Sequence, residues 1–213
     1  FNSVRNGIVK LTGKEPMVVG PGIKTGINIL LEDPGATGAD LIAAAVAAVI
    51  AGNTDPSVPI NGAELTLFGA AGKRLSDNEI DQLVRGGVTP IETVGGVSSP
   101  VRGITTKTSS GGAADTTWRE LTTILIVDEV IPTIRSALRT RFARSKNTAQ
   151  SRGAIRSQVV LELEEMKSRE IVDSYGEVLV SALKSDPTVC LVEFSFTVAH
   201  GLNRIYLTAH ITV

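Results

Sequence analysis

The chain has 213 residues, 42% of them apolar and 20% charged, with a net charge of −1. That composition excludes wholesale disorder and leaves enough chain to bury a core without disulfides or metals. A single cysteine, Cys190, excludes an internal disulfide and a zinc cluster, and an aromatic content of 4% offers no stacking platform for nucleic acid.

In chain order, residues 17–19 and 27–31 read as short apolar strands, the first ending at the turn signal Gly20-Pro21-Gly22. Residues 37–51 read as an Ala-rich helix closed by Gly52-Asn53. Its apolar run, residues 41–51, is about half a bilayer span, so no membrane anchor is predicted, nor any signal peptide. Residues 63–68 follow as a strand. Ser76 and Glu79 form a capping box that opens a short helix stopped by Gly86-Gly87. Residues 89–94 and 101–106 are further strands. This βαβ-like rhythm predicts an α/β layer domain over residues 1–108.

Ser109-Ser-Gly-Gly-Ala-Ala114 reads as a flexible connector and the domain boundary. Residues 115–213 are predicted to form a second, α+β domain: two long helices packed on a small antiparallel sheet. The first helix spans 116–143, with Leu121, Ile124, Ile131, Ile134, Leu138 and Phe142 at three- and four-residue steps; Pro132 should kink or break it. The second spans 148–173, with Ile155, Val159, Leu163 and Met166 on one face. Residues 177–183 form a strand, and 189–199 pairs with 204–213 as a hairpin around Gly201-Leu-Asn203. The chain begins with Phe1 and without start logic, so a piece of a longer protein is expected.

Catalytic chemistry finds little support. Gly20-Pro-Gly-Ile-Lys24-Thr25 lacks the glycine that a phosphate loop needs before its lysine. His200 and His210 lie in the last hairpin, with no nucleophile elbow elsewhere, so packed or hydrogen-bonded imidazoles are expected. No cofactor or metal is predicted. An α/β hydrolase stays open as an alternative.

Charge is more informative. Residues 133–156 hold Arg135, Arg139, Arg141, Arg144, Lys146, Arg152 and Arg156 with no acid, between flanks that each sum to −4. Arg152 and Arg156 open the second helix, while Glu162, Glu164, Glu165 and Glu170 fill its later part. That order opposes the helix dipole, so helix stability did not select it. A partner surface is the better cause: an acidic protein, a neighbouring copy, or nucleic acid, the last disfavoured by a pI near 6.2. The terminal run Ile205, Tyr206, Leu207, Thr208, Ala209, His210, Ile211, Thr212, Val213 is an apolar strand, which is hazardous unless another strand covers it.

Three runs carry a resemblance: Thr117-Trp-Arg-Glu-Leu-Thr-Thr-Ile-Leu-Ile-Val-Asp128, Ile131-Pro-Thr-Ile-Arg135 and Phe194-Ser-Phe-Thr-Val-Ala-His-Gly-Leu-Asn203. They closely resemble the C-terminal half of contractile tail sheath proteins of bacteriophages, prophages and phage-tail-like bacteriocins. The likeness covers residues 60–213 well and 1–60 loosely. It implies a structural, non-enzymatic subunit of the virion tail, made in the bacterial cytoplasm. Such subunits stack as hexameric rings around an inner tube, and contraction drives the tube through a cell envelope. It also implies exchanged terminal arms, with Ile205 to Val213 as the C-terminal one or its base, and places the basic block against the tube or the next subunit.

Overall fold

The computed structural model describes residues 2–4, 8–12, 26–31, 39–65, 74–203 and 208. The predicted strand at 17–19 therefore lies outside the described residues, as does nearly all of 204–213. The mixed α/β class predicted from the sequence is the one observed.

A five-stranded sheet runs in chain order: β1 (Asn2–Val4), β2 (Ile8–Thr12), β3 (Gly26–Leu31), β4 (Val88–Val94) and β5 (Val97–Pro100). Only β3 and β4 are parallel, with Ile29 opposite Thr89 and Leu31 opposite Ile91. Parallel strands need a crossover; here it carries α1 (Ala39–Gly52) and α2 (Asp77–Arg85). Ile42, Ala45 and Val46 of α1 pack with Ile27, Ile29, Leu31 and Ile91 in the first core. No described helix is long and apolar enough to cross a membrane.

The capping box forms as read. Ser76 Oγ accepts from the Glu79 amide, and the Glu79 carboxylate accepts from the Ser76 amide at 2.8 Å. Gly87 then takes φ +77°, where an added Cβ would stand 2.9 Å from Thr108 Cγ2 and 3.2 Å from Thr105 O. Gly87→Ala is thus expected to cost about 1–3 kcal/mol from backbone strain alone. Thermal melting would read this as a fall of several degrees; an unchanged midpoint would refute it.

Two predicted strands move. Val94 and Val97 pair across Gly95-Gly96, both at positive φ, so β5 begins at once on a two-residue turn rather than at residue 101. Residues 101–106 instead form one isolated bridge, Ile104 to Glu120. A side chain replaces the ladder there: Thr89 Oγ1 accepts from the Ile104 amide at 2.9 Å and donates to its carbonyl at 3.0 Å. Residues 63–65 are not strand, although the Leu65 amide donates to Ser98 O at 2.8 Å along β5; residues 66–68 are not described.

The segment read as a connector is a small hairpin, β6 (Ser109–Ser110) and β7 (Ala113–Ala114), turning at Gly111-Gly112. Next, α3 (Leu121–Phe142) starts five residues later than its pattern suggested. Asp115 Oδ1 accepts from the Thr117 and Trp118 amides, holding a turn, and Glu120 is extended at the N-cap. Pro132 lies inside α3 without breaking it. The proline is exposed, where water can satisfy the carbonyl it frees.

Likewise, α4 (Ala149–Ser168) stops five residues early. Arg169 caps it, Glu170 adopts φ 59°, and the Ile171 amide donates to Met166 O at 3.0 Å. This is a Schellman ending with glutamate where glycine is usual. The predicted single strand at 189–199 is two pieces. The strands β8 (Val172–Tyr175) and β9 (Leu179–Leu183) pair antiparallel with β11 (Phe196–Val198) and β10 (Asp186–Glu193), respectively. The Gly176 amide donates to Ser195 O at 2.9 Å between the two ladders. The result is one long bent hairpin. Ile126, Val130 and Ile134 of α3 and Val159, Leu163 and Met166 of α4 pack with Ile171, Val172, Val178 and Val198 in the second core. Leu121, at the start of α3, belongs to the first core, so this helix serves both.

Candidate assembly surface

The basic block sits at the tip of the α3–α4 helical hairpin, and tertiary contacts divide it. Arg141 at the end of α3 donates to Gln158 Oε1 of α4, clamping the two helices. Arg152 Nη1 donates to Asn147 O at 3.2 Å and Oδ1 at 3.1 Å. Asn147 in turn donates from Nδ2 to Pro187 O at 2.7 Å and Val189 O at 3.2 Å, tying the interhelix loop to β10. Arg156 approaches Glu177 at 3.6 Å. These three arginines therefore have internal work. Arg135 is exposed and also engaged within the chain. Arg139, Arg144 and Lys146 are exposed, and their side chains make no hydrogen bond or ion pair among the described residues. They are the free cations of the block.

Beside them lies an open groove of about 940 Å3 between α3, the start of α4 and the β10–β11 strands. Leu138 and Phe142 of α3, Ile155 of α4, and Val192 and Phe194 give it an apolar lining, while Arg135 and Arg139 also reach into it. Phe194 and Phe196 stack there with ring centroids 6.2 Å apart. The alternation read from residues 190–198 holds: Leu191, Glu193, Ser195 and Thr197 are exposed, and Cys190, Val192, Phe194, Phe196 and Val198 turn inward. The outward side is still apolar in places, with Val189, Leu191, Leu179 and Leu183 all exposed. Among the described residues no third strand pairs with this hairpin, and an open edge of this kind can take another strand.

The acidic half of α4 is partly satisfied internally. Glu162 accepts from Gln158 Nε2 at 2.7 Å, and Glu164 accepts from the Tyr175 hydroxyl, which lifts that phenol above its ordinary pKa because the neutral form is the donor. At the β9–β10 turn, Asp186 accepts from the Thr188 hydroxyl and amide, which holds its carboxyl below the usual range. Neither arrangement builds a reaction site. Among the described residues no three histidine, cysteine or acidic side chains converge on a metal position. His200 is exposed after β11, and His210 lies outside the described residues. The long-range contacts of residues 199–203 had no sequence signal, and neither did the groove.

An α/β layer is thus followed by a helical pair on a bent hairpin, which carries an apolar groove and exposed cations. Residues 113–212 match the phage tail sheath C-terminal domain. The fold is similar to that of the sheath tail protein from Listeria innocua, with TM-score 0.62, 12% identity, and coverage of 76% of this chain and 39% of that one. It is similar as well to the anti-feeding prophage helical sheath in its contracted state, with TM-score 0.59, 12% identity, and coverage of 94% and 54%. The chain thus spans about half or less of those sheath chains. A type III pantothenate kinase of Bifidobacterium longum subsp. infantis is 58% identical over 41 residues, which are 19% of this chain and 16% of the kinase. A stretch so short carries neither a kinase fold nor a kinase site to this chain.

Proposed function

We propose that this chain is the C-terminal part of a structural subunit that polymerises as stacked rings around an inner tube. Contraction of that sheath would drive the tube through a cell envelope, with the particle's tail as its place of action. The observation that carries the reading is the apolar groove and two-stranded hairpin, open among the described residues, within the segment that matches the sheath domain. A strand from a neighbouring copy would gain main-chain hydrogen bonds along the bent hairpin and seat alternate side chains in the groove. Residues 205–213, alternating and apolar, are the arm the chain offers in exchange. Arg139, Arg144 and Lys146 would meet an acidic surface of the tube or the next ring. This role needs no catalytic residue.

Electron microscopy of the full-length protein, produced with and without its tube protein, tests the reading. Rings or tubes of regular diameter are the expected result. Dispersed single particles under both conditions, at concentrations where related sheaths polymerise, would overturn it.

A further inference from the structure

After β11 the chain does not stay with its hairpin. The Ala199 amide donates to Ile171 O at 3.2 Å, and residues 201–203 then lie on the loop at residues 59–61 of the first layer. Gly201 is pressed against Pro59: an added Cβ would stand 3.0, 3.1 and 3.2 Å from its ring carbons. Asn61 Oδ1 accepts from the Gly103 amide at 3.2 Å, which orients the side-chain amide and aims Nδ2 at Asn203. Nδ2 then donates to Asn203 Oδ1 at 2.8 Å, between residues 142 positions apart. The loop is itself held, since the Gly62 amide donates to Pro100 O at 2.9 Å.

We propose that Asn61, Asn203 and Gly201 form an anchor that fixes where the C-terminal segment leaves the body of the protein. An exposed amide–amide bond contributes little to global stability. Its effect is positional: whatever follows Asn203 starts from the first layer, at a set point and direction, and not from the end of a free hairpin. The consequence for assembly rests on the sheath reading above. There, residues 205–213 are the exchanged arm, and a pull on the arm is delivered to the α/β layer through Asn61 and Pro59. Asn61 and Asn203 are thus positioning residues.

Hydrogen exchange and melting of this chain test the anchor, and microscopy of the full-length protein tests its consequence. Asn203→Ala should speed exchange of the hydrogen-bonded Ala199 amide roughly fivefold, the factor for one lost hydrogen bond, with little change in melting temperature. Asn203→Asp should restore protection, because Nδ2 needs only an acceptor; the nearby Glu120 is already paired with Arg102 at 2.5 Å. Gly201→Ala should speed the same exchange, and adding it to Asn203→Ala should give less than the product of the two effects. Unchanged exchange in Asn203→Ala, no rescue by aspartate, or fully multiplicative effects would each overturn the anchor. In the full-length protein, Asn203→Ala should give fewer and shorter tubes than Asn203→Asp. A wild type that never assembles condemns the sheath reading. A wild type that assembles, with Asn203→Ala indistinguishable from it, condemns the anchor's role in assembly.

Discussion

Leu163→Ala is expected to destabilise the protein by about 2–5 kcal/mol. Leu163 is fully buried on α4, in the cluster built by Ile126, Val130, Val159, Met166 and Ile171. Truncation removes one methine and two methyl carbons and leaves a cavity that two helices and a hairpin cannot easily close. Domains are held by only about 5–15 kcal/mol, so the loss is a large share of the total. Leu161 supplies the control. It lies two residues earlier on the same helix but is 57% exposed, and its replacement by alanine should stay within about 0.5 kcal/mol. Denaturant unfolding decides between them: the midpoint should shift for Leu163→Ala at constant slope and barely move for Leu161→Ala. Equal effects would mean that α4 does not pack on the bent hairpin through this face.

The same contrast explains what was legible in the sequence. Local signals were read correctly. Ser76 and Glu79 act within one turn of chain, and the face of Val159, Leu163 and Met166 repeats with the helix period, so neither depends on distant residues. Boundaries failed where a tertiary contact or an unusual residue took over. Glu170 ends α4 in a left-handed conformation that glycine usually marks, so the pattern ran on into β8. Ile104 looked like strand, yet the Thr89 hydroxyl takes both of its backbone groups. The basic block was visible as charge, but its division was not. Whether an arginine is free or holds Asn147 depends on a loop clamped to β10, and spacing carries no trace of that. The Asn61–Asn203 contact is the extreme case, since two asparagines in separate loops have no periodicity to betray them.

That division sharpens the expectation for the charged tip. Replacing Arg139, Arg144 and Lys146 together by glutamate should leave folding nearly unchanged while abolishing the assembly proposed above for the full-length protein. All three are exposed and their side chains lack partners among the described residues, and surface substitutions away from packed features usually shift stability by less than about 0.5 kcal/mol each. The triple variant changes the local charge by six units. At physiological ionic strength charges are screened over about 8 Å, so distant parts of the fold feel little, while a surface in direct contact feels all of it. An acidic partner would then face like charge, which costs several kcal/mol per contact. In a repeating assembly, that penalty recurs at every subunit. Arg152→Glu is the instructive contrast, because it breaks two hydrogen bonds to Asn147 and should lower stability before it affects any partner. Melting curves with negative-stain microscopy separate the two. Normal sheathed tubes in the triple variant would sink the assignment of these cations to an interface. A melting temperature depressed as far as that of Arg152→Glu would show that they serve the fold instead.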